Sequence, residues 1–164
     1  MSTVAQQDSS PAQRGFTLRH LTLVLLAIGI FITGYLSYTH LTSTSIVCVE
    51  GDAFNCDTVN SSIYSEFMGI PIAYLGLAAD LFMFLIVLLE PRVEILRNYG
   101  VMVVFGVALL GFIYHGYLTY VSFTRINALC IWCLLAHVVM TLILIVTGIR
   151  LYRILFPGAD IVET

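Results

Sequence analysis

The sequence predicts an all-α integral membrane protein, a four-transmembrane-helix bundle with an outer loop containing a short interfacial helix. Two observations predict it. Of 164 residues, 59% are hydrophobic and only 10% charged, where a soluble domain of this size carries about twice that charge fraction. Four apolar runs, 21–38, 71–89, 99–120 and 129–149, are each long enough to cross about 30 Å of hydrocarbon. Residues 16–153 are expected to form one membrane domain in contact with lipid, between a polar tail at 1–15 and a short tail at 154–164.

The arginines set the orientation. The chain has no lysine, and Arg14, Arg19, Arg92, Arg97, Arg150 and Arg153 fall on one side of the predicted spans while only Arg125 falls on the other. Cytoplasmic loops carry the excess of positive charge, so both termini are expected to face the cytoplasm. The segment 40–69, with Glu50, Asp52, Asp57 and Glu66, then faces outward. All four cysteines lie on that outer side, where disulfides persist.

In chain order, residues 1–15 are small and polar without periodicity and read as a disordered tail. The first span is too long for the apolar region of a signal peptide and lacks a small-residue cleavage site, so it is expected to stay as an anchor. In the outer loop, Cys48 and Cys56 enclose a segment with Gly51, Asp52 and Asn55, turn-forming residues that make a closed ring between the two sulfurs easy. Residues 58–67 read as a short interfacial helix, with Val59, Ile63 and Phe67 on one face and Asn60 or Ser61 as cap. Gly69 is placed to end that helix and Pro71 to open the next span.

Asp80 lies nine residues beyond Pro71, roughly 13 Å into the membrane at 1.5 Å per residue. An ionisable group at that depth faces the bundle interior or a cavity, so Asp80 is a candidate for proton handling or cofactor contact. Gly76, Gly106 and Gly111 read as close-packing positions. His115 and Tyr117, near the outer end of the third span, read as interfacial anchors, as do His20 and His40.

The last span opens on Cys130-Ile131-Trp132-Cys133. Positions i and i+3 share a helix face, so these two sulfurs can form or break a bond, and a helix N-terminus favours the reactive thiolate. His137 sits one turn deeper on the face of Cys133, where it can hydrogen-bond whatever contacts that sulfur. A zinc site needs four ligands, and two thiols at the head of a membrane helix supply half of one, so no metal is expected. A net charge of −3 without a basic run or glycine-rich phosphate loop argues against nucleic acid.

Two dithiol pairs on one side of a membrane suggest relay chemistry, in which a thiolate attacks a disulfide through a mixed disulfide. The loop pair can meet an external protein and pass electrons to Cys130 and Cys133. That fixed pair sits at the lip of an apolar bundle, within reach of a lipid-soluble two-electron acceptor such as a quinone.

The ordered set Cys48-x7-Cys56, Ser61-Ser62, Gly69-Ile70-Pro71, Gly76 and Cys130-x-x-Cys133 resembles the vitamin K epoxide reductase family in its bacterial form, over roughly residues 20–150. The other bacterial quinone-coupled oxidant, the DsbB type, has the Cys-x-x-Cys pair in its first outer loop instead. The resemblance implies a bundle around a quinone, ubiquinone or menaquinone. It implies Cys133 facing the ring, Cys130 as its resolving partner, Cys56 attacking Cys130, and Cys48 exchanging with a thioredoxin-like partner. Ser62 matches the loop serine that relatives need near the active site. Two departures stand out: vertebrate members have tyrosine at the position of His137, and Asp80 has no counterpart. Many bacterial relatives carry a fused thioredoxin-like domain; here about a dozen residues follow the last span, so a separate, DsbA-like partner is expected. The activity expected is reoxidation of that partner at the expense of a quinone, in support of disulfide formation in exported proteins. The alternatives are reduction of vitamin K epoxide and a non-catalytic scaffold with structural disulfides.

Overall fold

A computed structural model describes residues 11–48 and 55–156, with side chains from residue 17 onward. The termini beyond these limits and the turn at 49–54, including the expected roles of Gly51 and Asp52, lie outside the described residues.

Helices α1 (Pro11–Thr42), α3 (Ile72–Leu89), α4 (Glu94–Val121) and α5 (Ile131–Leu155) form the bundle. Each is apolar and long enough to cross a membrane. They close as a ring, with α1 packed on α3 and α5, and α4 on α5 and α3. α1 begins at Pro11 rather than at residue 16, so part of the expected tail is helical; proline is tolerated in a helix's first turn, where its missing N–H costs nothing. Large apolar residues such as Phe31, Leu110 and Ile145 remain exposed on the outside of the ring, as they must if the surrounding solvent is lipid.

The interior has two parts. At one end, Leu26, Met83, Val87, Val104, Ala108 and Ile143 pack into an apolar core. Gly111 lets Met140 approach so closely that a Cβ there would meet Met140 Cε at 3.0 Å, and Gly76 admits Thr33 in the same way, at 3.3 Å. Gly106, also read as a packing position, has nothing within 4 Å of its would-be Cβ. Beneath this core, Glu90 at the end of α3 receives Arg150 Nη2 on both carboxylate oxygens, at 2.7 and 2.8 Å. At the other end, Ile32, Leu36, Ile46, Val59, Ala128 and Ala136 pack around the cysteines.

The outer segment differs from the single helix expected over 58–67. A short helix, α2 (Cys56–Asn60), is followed by a 3-10 turn (Ile63–Ser65) and a small hairpin, β1 (Glu66–Phe67) with β2 (Ile70–Pro71). The cap is Asn55, whose side chain accepts from Thr58 N at 3.0 Å, and not Asn60 or Ser61. Asn55 supplies the acceptor that the first turn of α2 needs, and Ser61 instead closes α2 from its C-terminal side. Nor does Gly69 end a helix. With Met68 at φ 55° and Gly69 at φ 81°, the pair is the two-residue turn that joins β1 to β2, where positive φ at both positions matches strand twist.

Candidate functional site

The four cysteines belong to one packed cluster at the end of the bundle opposite the Glu90–Arg150 pair. Cys48 and Cys56 are joined in a disulfide, with Cα atoms 5.9 Å apart. Cys130 and Cys133 are free thiols.

Backbone hydrogen bonds hold the loop pair over the helix pair. Asn55 N–H donates to Leu129 O at 3.1 Å, which ties the residue before Cys56 to the residue before Cys130. Ile46 N–H donates to Asp57 Oδ1 at 2.9 Å. Val47, next to Cys48, is gripped at both ends: its N–H donates to Tyr35 Oη at 3.0 Å and its carbonyl accepts from Trp132 Nε1 at 2.8 Å. The Tyr35 and Trp132 rings pack with centroids 4.7 Å apart. The strap carrying Cys48 is therefore fastened to the Cys-x-x-Cys segment by its own tryptophan.

Cys130 is the N-cap of α5, and its Sγ accepts from Cys133 N–H at 3.4 Å. It is 2% exposed. Hydrogen bonding from the Cys133 thiol, with help from the Cys133 and Trp132 N–H groups, holds the Cys130 thiol below its ordinary value against the opposing effects of burial and of Asp57. Stabilised anion at a helix N-terminus is the usual origin of a reactive thiol.

Cys133 faces a cavity of about 70 Å³ enclosed by α1, α2, α3, α4 and α5. Its apolar walls include Leu36, Ile72, Ala73, Leu118 and Ala136, and its polar lining includes Asn60, Ser65, His115, Thr119 and Ser122. Cys130 is not among the lining residues, so it lies behind Cys133, on the side of the loop disulfide.

The other candidates fall around this cavity rather than in it. Ser62 Oγ donates to Val59 O at 2.9 Å and lies 3.0 Å from Ser65 Oγ; Ser65, which also donates to Val59 O, is the serine that lines the cavity. His137 sits behind the lining, its Nδ1 3.3 Å from Thr119 Oγ1 and its ring stacked on His115 with centroids 6.1 Å apart. Asp80 is 2% exposed and packs between α1 and α3. Its Oδ2 is 3.1 Å from Thr33 Oγ1, and a Cβ on Gly29 would come within 3.2 Å of it. Thr33 also lines the cavity, and so separates Asp80 from it. His115, expected as an interfacial anchor, instead lines the cavity together with Cys133. Its spacing to Leu118, Thr119 and Ser122, which also line the cavity, is the signal in the sequence for this face of α4.

A sequence model described as the Vitamin K epoxide reductase family matches residues 20–148. The match takes in all four cysteines and all or most of each span-forming helix.

Proposed function

The chain belongs to the vitamin K epoxide reductase family, a membrane oxidoreductase family of quinone-linked thiol chemistry, and from that premise we propose that it reoxidises a separate thioredoxin-like, DsbA-like protein and delivers the electrons to ubiquinone or menaquinone. The observation that carries this reading is the order in which the sulfurs lie between the strap and the cavity. Cys48 sits on the strap, Cys56 and Cys130 are packed together, and only Cys133 opens into the cavity.

The chemistry balances through two exchanges. A partner thiolate attacks Cys48 and releases the Cys56 thiolate, and the partner's second thiol then displaces Cys48, leaving the partner oxidised and the loop pair reduced. Cys56 next attacks Cys130 of the oxidised helix pair and releases Cys133, and Cys48 resolves the bond to Cys56. The loop disulfide is restored and two electrons reside on Cys130 and Cys133. A bridged Cys48–Cys56 beside free Cys130 and Cys133 is the arrangement of sulfurs in the structure, and it corresponds to this stage of the cycle.

The cavity fits a quinone head in kind, with apolar walls and a few placed polar groups, as small-molecule sites generally have. Its free volume of about 70 Å³ is room for on the order of five waters, so a substituted ring enters as the side chains at the mouth part. A quinone bound there accepts two electrons and two protons. In this assignment Cys133 supplies the reacting sulfur, Cys130 resolves it, Asn60 and Ser122 offer hydrogen bonds, and Leu36 and Leu118 exclude water. The active site faces the outer compartment, with the arginine-bearing ends of the helices in the cytoplasm of the inner membrane.

The test is Cys133→Ala in the full chain. Quinone reduction is expected to vanish while a mixed disulfide between Cys48 and the partner still accumulates; unimpaired steady-state turnover would overturn the assignment.

A further inference from the structure

Of the side chains that line the cavity, two carry an ionisable proton: Cys133 on α5 and His115 on α4. We propose that His115 is the proton carrier of this cavity, taking the proton that Cys133 gives up as it becomes a thiolate and donating it to a carbonyl oxygen of the ring that Cys133 reduces. The inference rests on the quinone reading above and adds a residue and a proton path to it.

Three observations carry it. His115 and Cys133 reach the same cavity from two helices, α4 and α5, that pack against each other. Among the described residues none hydrogen-bonds the ring nitrogens of His115; its one ring contact is the stack on His137. The remaining polar lining cannot substitute. Thr119 Oγ1 donates to His115 O at 2.8 Å and Ser65 to Val59 O, and Asn60 and Ser122 have no ionisation near neutral pH and so can offer a hydrogen bond but no proton.

The stoichiometry demands such a group. Closing Cys130 and Cys133 into a disulfide releases two electrons and two protons, and a quinone becomes a quinol by taking up two of each. The sulfur that attacks is a thiolate, so its proton has already left when electrons move and must be held within the cavity. The imidazole of His115 holds it and gives it to the first ring oxygen, which returns His115 to its starting state. Cys130 lies behind Cys133 and outside the cavity lining, so the second proton, lost there as the disulfide closes, is made up from solvent at the second oxygen.

His137 is then a positioning residue. Since the Thr119 hydroxyl hydrogen is committed to a backbone carbonyl, its oxygen accepts from His137 Nδ1–H at 3.3 Å, which fixes the His137 ring as the surface on which His115 stacks.

The experiment uses the full chain in detergent or lipid discs, with menadione as probe. The single tryptophan is Trp132, adjacent to Cys133, so quenching of its fluorescence reports menadione binding independently of turnover. In His115→Ala and His115→Gln, affinity is expected to stay within about threefold of wild type, while single-turnover oxidation of the Cys130–Cys133 dithiol by saturating menadione slows about 100-fold or more. Glutamine keeps a hydrogen-bond donor without a transferable proton, so it separates proton transfer from binding. Reduction of Cys48–Cys56 by dithiothreitol should keep its wild-type rate in both variants. The proposal is overturned if dithiol oxidation stays within about threefold of wild type, if saturating menadione restores the rate, or if loop-pair reduction slows in parallel. Wild-type protein that neither binds menadione nor loses its thiols to it would refute the quinone reading itself.

Discussion

At one end of the bundle Glu90 and Arg150 meet as a forked ion pair with side chains 15% and 9% exposed, under a core made only of apolar side chains. At the other, a disulfide, two free thiols, a tryptophan-fastened strap and a cavity lined in part by polar side chains occupy the same width of bundle. At the first end the carboxylate of Glu90 and the guanidinium of Arg150 satisfy each other. The second keeps polar groups and space in reserve. A membrane bundle cannot draw stability from water-driven burial between helices as a soluble one does, and relies on close packing and internal hydrogen bonds. The tight end supplies these, and the loose end is free to carry chemistry.

This comparison is broken most directly by a pair of substitutions with opposite readouts. Cys130→Ala removes the sulfur between the loop pair and Cys133 and should stop quinone-dependent turnover by about a thousandfold or more, while the thermal midpoint stays near wild type. Arg150→Met leaves Glu90 buried without its partner and should destabilise the fold by about 3–5 kcal/mol, while turnover per folded molecule is unchanged. Parallel loss of turnover and stability in both variants, followed by circular dichroism on heating and by quinone absorbance, would show that the two ends are not separable.

The sequence made the coarse architecture legible for a plain physical reason: hydrocarbon thickness sets span length, and four runs meet it. The sulfur chemistry was legible too, since Cys130 and Cys133 head a helix and Cys48 and Cys56 flank a short ring. What it hid was rotation. α3 is apolar almost all round, so periodicity does not say which face looks inward, and Asp80 could be assigned an interior position but not its neighbours Thr33 and Gly29. His115 was hidden in the same way. A histidine near the end of a span reads as an anchor until α5 is placed beside it. In the segment before α3, Gly69 was the only cue to the hairpin, because methionine rarely takes the positive φ that Met68 adopts, and apolar spacing over 58–67 suggested a helix instead.

Between the two ends lies the Gly29, Thr33 and Asp80 contact. Gly29→Ala places a methyl group 3.2 Å from Asp80 Oδ2, tight enough to cost about 1–2 kcal/mol if α1 and α3 hold their positions. Asp80→Ala removes the opposing group, so the double variant should be less destabilised than the sum of the singles, a coupling of about 0.5–1 kcal/mol or more in chemical denaturation. Additive effects would show that the carboxyl group is not packed against Gly29.

The smallest effect sharpens the electrostatic side of the comparison. Because the Cys133 thiol is the largest influence holding Cys130 below the ordinary 9.0, the rate of Cys130 modification by methyl methanethiosulfonate should keep its plateau at pH 9 and fall only as pH drops through a lower inflection. In Cys133→Ala that inflection should move upward, since the donor thiol is gone. It should not reach the ordinary value, because the backbone N–H groups at positions 132 and 133 still face Cys130. An inflection unmoved by Cys133→Ala would mean that the helix N-terminus alone activates Cys130. Cys133 would then act only toward the cavity, and the two sulfurs of the Cys-x-x-Cys pair would divide their work between loop and cavity without tuning each other.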